Sequence, residues 1–129
     1  MAEKNVIRTD RAPGPFQGAP YNQAIEFGGL VFVAGQLGIS LETGELAGAG
    51  VAEQTEQIMA NLEAILEAAG SGLEKLVKTT VFLMDLADFA AMNEVYAKHV
   101  GDRPPARSTI QISGLPSGAL VEIEAIAHV

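Results

Sequence analysis

The sequence has no cysteine, no tryptophan and only two histidines, His99 and His128. It is also poor in cations, with 8 Lys or Arg against 16 Asp or Glu in 129 residues. Without cysteine there can be no disulfide, thiolate nucleophile, iron–sulfur cluster or Cys-rich zinc site, and the lack fits a reducing compartment. Two histidines leave little material for a transition-metal centre. A formal net charge of −8 runs against nucleic acid, whose phosphates are held by clustered Lys and Arg. No apolar run approaches the roughly 18 residues that cross a bilayer. The N-terminus, MAEKNVIRTDRAPGP, lacks the apolar stretch of a secretory signal. The expectation is a cytoplasmic protein with no membrane partner, an organellar matrix being the second choice. Chemistry is left to carboxylates, Arg, Tyr, hydroxyls, Lys and backbone amides.

What is present describes an ordinary globular chain, with 48% hydrophobic and 19% charged residues, long enough to bury a core as one domain over residues 1–129. Pro13, Gly14, Pro15, Gly18 and Pro20 make the first twenty residues loop-like, with room for a short extended piece at Asn5 to Arg8. Two apolar runs, Gln23 to Phe27 and Leu30 to Ala34, are separated only by Gly28-Gly29, the signal of a two-residue hairpin. After the glycine-rich stretch from Gly44 to Gly50, Ile58, Leu62, Ile65, Leu66 and Ala69 repeat with helical spacing. That predicts a helix over 51–69, ended by Gly70. Leu76 to Met84 reads as a strand. Asp85 is placed to cap a second helix with the stripe Phe89, Met92, Val95 and Tyr96, stopped by Gly101. Strands are expected at Ala106 to Ile112 and Ala119 to Ala127. This order implies an α+β fold, a sheet with two helices on one face. Leu30-Val31-Phe32-Val33-Ala34 and Val81-Phe82-Leu83-Met84 do not alternate apolar with polar, as strands with one wet face should. Either these are central strands under both helices, or a second copy of the chain covers the other face.

Few residues can carry chemistry. In PPARSTIQI, strand alternation sets Arg107, Thr109 and Gln111 on one face and Ala106, Ser108, Ile110 and Ile112 on the other. An Arg there can grip a carboxylate with two parallel hydrogen bonds, or pair with one of the many surface acids. In LVEIEAIA, Glu122 and Glu124 share a face with Leu120 and Ile126. A carboxylate with apolar neighbours is open to pKa tuning for acid–base work, though a salt bridge would suit the same position. Tyr21, after Pro20, can line a pocket or anchor a loop, and Asn93 sits in the second helix as a candidate hydrogen-bonding group. His99 and His128 receive no role. Gly48-Ala49-Gly50 lacks the third glycine of a dinucleotide fingerprint, and neither Ser113-Gly114 nor Ser117-Gly118 builds a nucleophile elbow.

From about Pro20 to Ala127 the chain resembles the Rid family, the reactive intermediate deaminases also known as RidA or YjgF proteins. The resemblance is carried by PYNQA, VFVAGQ, Thr43-Gly44-Glu45, NLEAILEAAG, LVKTTVFLMDLADF, NEVY, PPARSTIQISGLPSGA and VEIEAIA. It implies a chorismate-mutase-like fold, a mixed sheet with two helices on one face, assembled as a homotrimer with pockets between subunits. It implies hydrolysis of enamines and imines such as 2-aminoacrylate, 2-iminopropanoate and 2-iminobutanoate to 2-oxo acids and ammonia, without metal or organic cofactor. By resemblance, Arg107 binds the substrate carboxylate with help from the Thr109 backbone amide, and Glu122 orients or activates the attacking water. Tyr21 and Asn93 fall on pocket positions, and Gly35 on a backbone contact near the substrate.

Two positions depart from the family pattern: Ala34 stands where Ser often precedes Gly-Gln, and Thr109 where Cys is often found. The first removes a hydroxyl contact and bears on substrate preference. The second is tolerated if the amide acts rather than the side chain. An alternative use of the same pocket is a regulatory trimer that senses 2-oxo acids without turnover. A ribonuclease activity, attached to some family names, is opposed by the acidic balance and by the lack of a basic, aromatic-lined strip.

Overall fold

A computed structural model describes residues 3–129. Strand β1 (Asn5–Ile7) pairs with β2 (Ala24–Phe27), which turns through Gly28 and Gly29 into β3 (Leu30–Leu37). Both turn glycines have positive φ, 61° and 82°, as a two-residue hairpin requires. Helix α1 (Val51–Ala68) follows a long loop. It ends as the glycine predicts: Gly70 is left-handed, its N–H donates to the Glu67 carbonyl, and the Ser71 N–H reaches back to Leu66. Then come β4 (Leu76–Leu83), α2 (Phe89–Val100), β5 (Ala106–Gln111) and β6 (Val121–His128).

The six strands form one mixed sheet in the order β1-β2-β3-β6-β4-β5. All pairs are antiparallel except β4 with β5, which are joined through α2 as a crossover between parallel strands needs. Helix α1 packs on β3 and β6 and beside α2. Val31 and Val33, Val81 and Leu83, and Ile123, Ala125 and Ala127 point toward the helices. They are buried there with Ile58, Leu62, Ile65, Leu66, Met92 and Tyr96. So the run Leu30 to Ala34, apolar at every position, alternates in burial, with Val31 and Val33 inside.

Among the described residues no helix lies on the other face. Phe32 is 41% exposed and Ile110 46% exposed, with Phe82 and Ile126 half-buried between them. Large apolar side chains on an uncovered sheet face are what the non-alternating sequence anticipated.

Three expectations need correction. Asp85 does not cap α2; its side chain accepts from the Ala87 N–H and caps a single 3-10 turn, Leu86–Asp88, that precedes the helix. Leu120 does not lie beside Glu122, because β6 begins at Val121, two residues after the expected Ala119; Leu120 packs against the core cluster instead. Strand ends also move: β3 runs on to Leu37, past the expected Ala34, because the chain continues its pairing with β6 through a bulge. No helix among the described residues is long and apolar enough to cross a membrane.

Candidate active site

The six candidate residues do not form one cluster within the chain. Five of them fall into two hollows on opposite sides of the sheet, and Thr109 lies in neither.

Glu122 occupies the first hollow. It pairs with Phe82 on one side and Leu37 on the other, while its strand neighbours Val121 and Ile123 point to the helices. Strand alternation therefore directs Glu122 to the helix-free face. Between Val33 and Gln36 the register with β6 shifts, so that Ala34 and Gly35 stand opposite the single residue Glu124. Such a bulge re-aims the backbone beside a functional side chain. Here it brings Gly35 directly against Glu122: a Cβ at position 35 would lie 2.8 Å from the Glu122 carboxyl carbon and 2.9 Å from its Oε1. Only glycine leaves the carboxylate that space. Tyr21, Phe16, Leu37, Ile39 and Pro116 complete the walls. The Tyr21 hydroxyl accepts from the Phe16 N–H at 2.6 Å, which closes the loop and leaves the phenolic hydrogen free to donate elsewhere. Gln23, buried behind, takes the Thr9 N–H on its Oε1 and donates Nε2 toward the Thr9, Ala12 and Pro13 carbonyls, fixing the N-terminal loop against the hollow. Burial raises the Glu122 pKa above the ordinary glutamate value of 4.5, and the nearby negative charge of Glu124 raises it further.

Arg107 occupies the second hollow, with Asn93, Tyr96, Ala97, Pro104 and Pro105. In the register of β5 with β4, Arg107 stands beside Thr79, a helix-facing residue that is 1% exposed. The Arg107 side chain thus turns toward α2, away from the face that bears Glu122. Its guanidinium carbon lies 4.8 Å from the centre of the Tyr96 ring and 5.4 Å from that of Phe89. Among the described residues the ion pairs are Arg11 with Glu67 and His99 with Glu56, so Arg107 has no carboxylate partner. Asn93, one helical turn from both rings, has a buried Oδ1 without a hydrogen-bond partner among the described residues. Thr109 lies two residues further along the same face of β5, half-buried and lining neither hollow. As β5 is the last strand of the sheet, one side of its backbone is unpaired.

Sequence reasoning read Tyr96 only as part of the apolar stripe and Phe89 likewise. Their separation of seven residues, two helical turns, was the available signal that both rings face one way. Among the described residues no three His, Asp or Glu side chains come together as metal ligands would.

The family model described as Endoribonuclease L-PSP matches residues 11–129. A RutC family protein of Pyrococcus abyssi is 50% identical over 125 residues, which is 97% of each chain. The chloroplastic Reactive Intermediate Deaminase A of Arabidopsis thaliana is 46% identical over 125 residues, covering 97% of this chain and 66% of its own. The crystal structure of RidA from an Antarctic Psychrobacter superposes with a TM-score of 0.91 at 43% identity, over 97% of this chain and 99% of that one. The mixed six-stranded sheet with two helices is therefore that of RidA structures, and the chain belongs to the Rid family, the YjgF/RidA proteins.

Proposed function

We propose that the chain, a single domain, assembles as a homotrimer with active sites between subunits, and that each site hydrolyses 2-imino acids to 2-oxo acids and ammonia. The observation that carries this reading is the separation of Arg107 from Glu122. A cation without an acid and an acid with a raised pKa are the two halves of one site, yet the sheet stands between them. A neighbouring copy laid against the exposed face with Phe32 and Ile110 can bring its own Arg107 to the rim of the Glu122 hollow. Two further features support the reading. The orphan Asn93 Oδ1 lacks a donor, and an unpaired buried acceptor costs about 1–3 kcal/mol, so a ligand or neighbour that supplies an N–H is favoured. The 46% identity to a reactive intermediate deaminase supports the reaction class.

In the proposed mechanism the substrate carboxylate lies on Arg107, assisted by the Thr109 amide. This leaves C2 of the imine, already electrophilic, before the neighbour's Glu122. As water attacks C2, the Glu122 carboxylate takes one of its protons and passes it to the imine nitrogen, which gives a carbinolamine. Glu122 then carries the hydroxyl proton to the same nitrogen, the C–N bond breaks as the carbonyl forms, and the 2-oxo acid and ammonia leave. 2-Aminoacrylate enters after tautomerising to 2-iminopropanoate. No covalent nucleophile is needed, which suits a chain without cysteine; positioning and one carboxylate suffice. Tyr21, with its hydroxyl hydrogen free, contacts the substrate from the Glu122 side, Gly35 through its backbone, and Asn93 from the Arg107 side.

The test is subunit complementation. Arg107→Ala and Glu122→Gln proteins, each with about one hundredth of wild-type activity or less alone, are unfolded together, refolded and assayed on 2-iminopropanoate made by an amino acid oxidase, with semicarbazide trapping. Random mixing rebuilds about a quarter of the sites if each lies between two subunits. No recovery would reject the shared site. Light scattering that gave a monomer mass would reject the trimer, and binding of 2-oxobutanoate without turnover by wild type would leave a sensor in place of an enzyme.

A further inference from the structure

Arg107 is held by aromatic rings where a carboxylate would be the commoner partner, and the rings are themselves held. Tyr96 is 5% exposed, and its hydroxyl shares a 2.6 Å hydrogen bond with the hydroxyl of Thr79. Thr79 is the register partner of Arg107 on the adjacent strand. The three residues close a ring through β4, α2 and β5: Thr79 fixes Tyr96, Tyr96 lies under the guanidinium, and the strand pairing fixes Arg107 beside Thr79. Phe89, two helical turns before Tyr96 and exposed, is the second ring beside the guanidinium.

An arginine side chain has rotamer freedom that a ligand must otherwise quench on binding. An acidic partner would quench it but would also neutralise the charge and occupy the two-pronged edge that a carboxylate ligand needs. A ring stacked on the flat face of the guanidinium orders it and leaves that edge free.

We propose that Tyr96, fixed by Thr79 and assisted by Phe89, is a positioning residue that pre-orders Arg107 for a carboxylate ligand. The inference rests on reading Arg107 as the carboxylate clamp. It adds to that reading the reason why the arginine has no acid beside it. The Tyr96 hydroxyl stays protonated for this role: burial raises its pKa above 10.0, and this outweighs the opposing effects of the Thr79 hydrogen bond and of Arg107, which acts through its charge and through hydrogen bonding.

The test measures two quantities on the full-length protein, calorimetric affinity for 2-oxobutanoate and steady-state kinetics on 2-iminopropanoate. Phe89 is exposed, so Phe89→Leu should fold with an unchanged Tm. Its affinity should fall about two- to fivefold, the range of an exposed cation–π contact. Phe89→Tyr, which keeps a ring, should recover most of the affinity. Tyr96→Leu should lose about tenfold or more, as expected of a desolvated contact. Tyr96→Phe, which keeps the ring and loses the Thr79 bond, should lie between Tyr96→Leu and wild type. The losses should appear in KM with kcat little changed. If Phe89→Leu and Tyr96→Phe both bind 2-oxobutanoate as wild type does, the inference is overturned, whether or not the protein is a deaminase. If wild type binds 2-oxobutanoate without hydrolysing the imine, the deaminase reading falls, while the predicted order of affinities among the variants supports the inference on its own.

Discussion

The two hollows of this chain are built by opposite means. Around Glu122 the backbone does the work: a bulge, a glycine without a side chain, and a loop pinned by Gln23 make a space in which a carboxylate sits partly out of water. Around Arg107 side chains do it, with two rings from one helix face and a threonine from the neighbouring strand. On the proposed reading, the difference follows from what each group has to do. A base gains reactivity from desolvation, which raises its pKa toward working pH. A clamp must stay charged and keep its hydrogen-bonding edge open, which aromatic faces permit.

If the contrast is right, the largest effect comes from the clamp. Arg107→Ala removes two charge-assisted hydrogen bonds to the substrate carboxylate, each worth about 1.5–3 kcal/mol. It should lower kcat/KM on the order of a thousandfold and abolish measurable 2-oxobutanoate binding. Retained binding would move the clamp elsewhere in the molecule.

Glu122→Gln should act differently: kcat falls on the order of a hundredfold, the scale of general base catalysis, while 2-oxobutanoate binds nearly as before. The same change should alter stability in a direction that a purely structural acid would not show. Burial raises the Glu122 pKa in the folded state, so folding favours the protonated form. Its favourable contribution is complete below the unfolded value, near 4.5, and is lost as pH rises through the higher folded value. Above that value the ionised carboxylate is a burden on the fold that glutamine relieves. Glu122→Gln should therefore melt higher than wild type at neutral pH, with the gap closing in acid. A lower Tm at neutral pH would contradict the desolvated base.

Gly35→Ala tests the backbone-built hollow directly. The added methyl would stand 2.8 Å from the Glu122 carboxyl carbon, so the carboxylate must swing aside. A displacement of about an ångström at a reacting group can cost up to a hundredfold. About tenfold in kcat is expected here, because the carboxylate is the free end of a side chain and can partly compensate. The clamp side, read by 2-oxobutanoate affinity, should not change.

Much of this architecture was legible before the structure. Gly28-Gly29 fixed a hairpin because both positions need positive φ, and the Ile58, Leu62, Ile65 period described α1 to within a residue of its end. The apolar run from Leu30 to Ala34 signalled apolar side chains on both faces of the strand, and Phe32 is exposed on the helix-free one. Local signals failed where the answer depended on three-dimensional register. Asp85 looks like a helix cap and serves as one, but for an intervening turn. The bulge at Ala34-Gly35 has only the strand glycine Gly35 as its mark in the sequence, and its place is set by how β3 meets β6. Alternation placed Arg107 and Glu122 on faces of their own strands, yet could not relate those faces, because strand pairing decides which sides of two distant segments coincide. For the same reason the rings under Arg107 read as mere core.

The smallest expected effect is the most selective. Glu124 is exposed, and it sits two residues from Glu122 on the same face. Its charge is the second cause of the raised Glu122 pKa, after burial. Glu124→Gln removes that charge and leaves the hollow intact, so the Glu122 pKa should drop while remaining above 4.5 on account of burial alone. In the deaminase assay the acid limb of the kcat profile, which follows ionisation of the base, should move to lower pH, with the plateau rate almost unchanged. Added salt should mimic the substitution in wild type, because the interaction between these two carboxylates is partly screened by mobile ions, whereas desolvation is not. Gly35→Ala would show the reverse, a lower plateau, with its acid limb free to move in either direction as the carboxylate shifts toward or away from water. An acid limb that Glu124→Gln and salt both leave in place would mean that a group other than Glu122 titrates in that limb, and the division of labour between the two hollows would have to be redrawn.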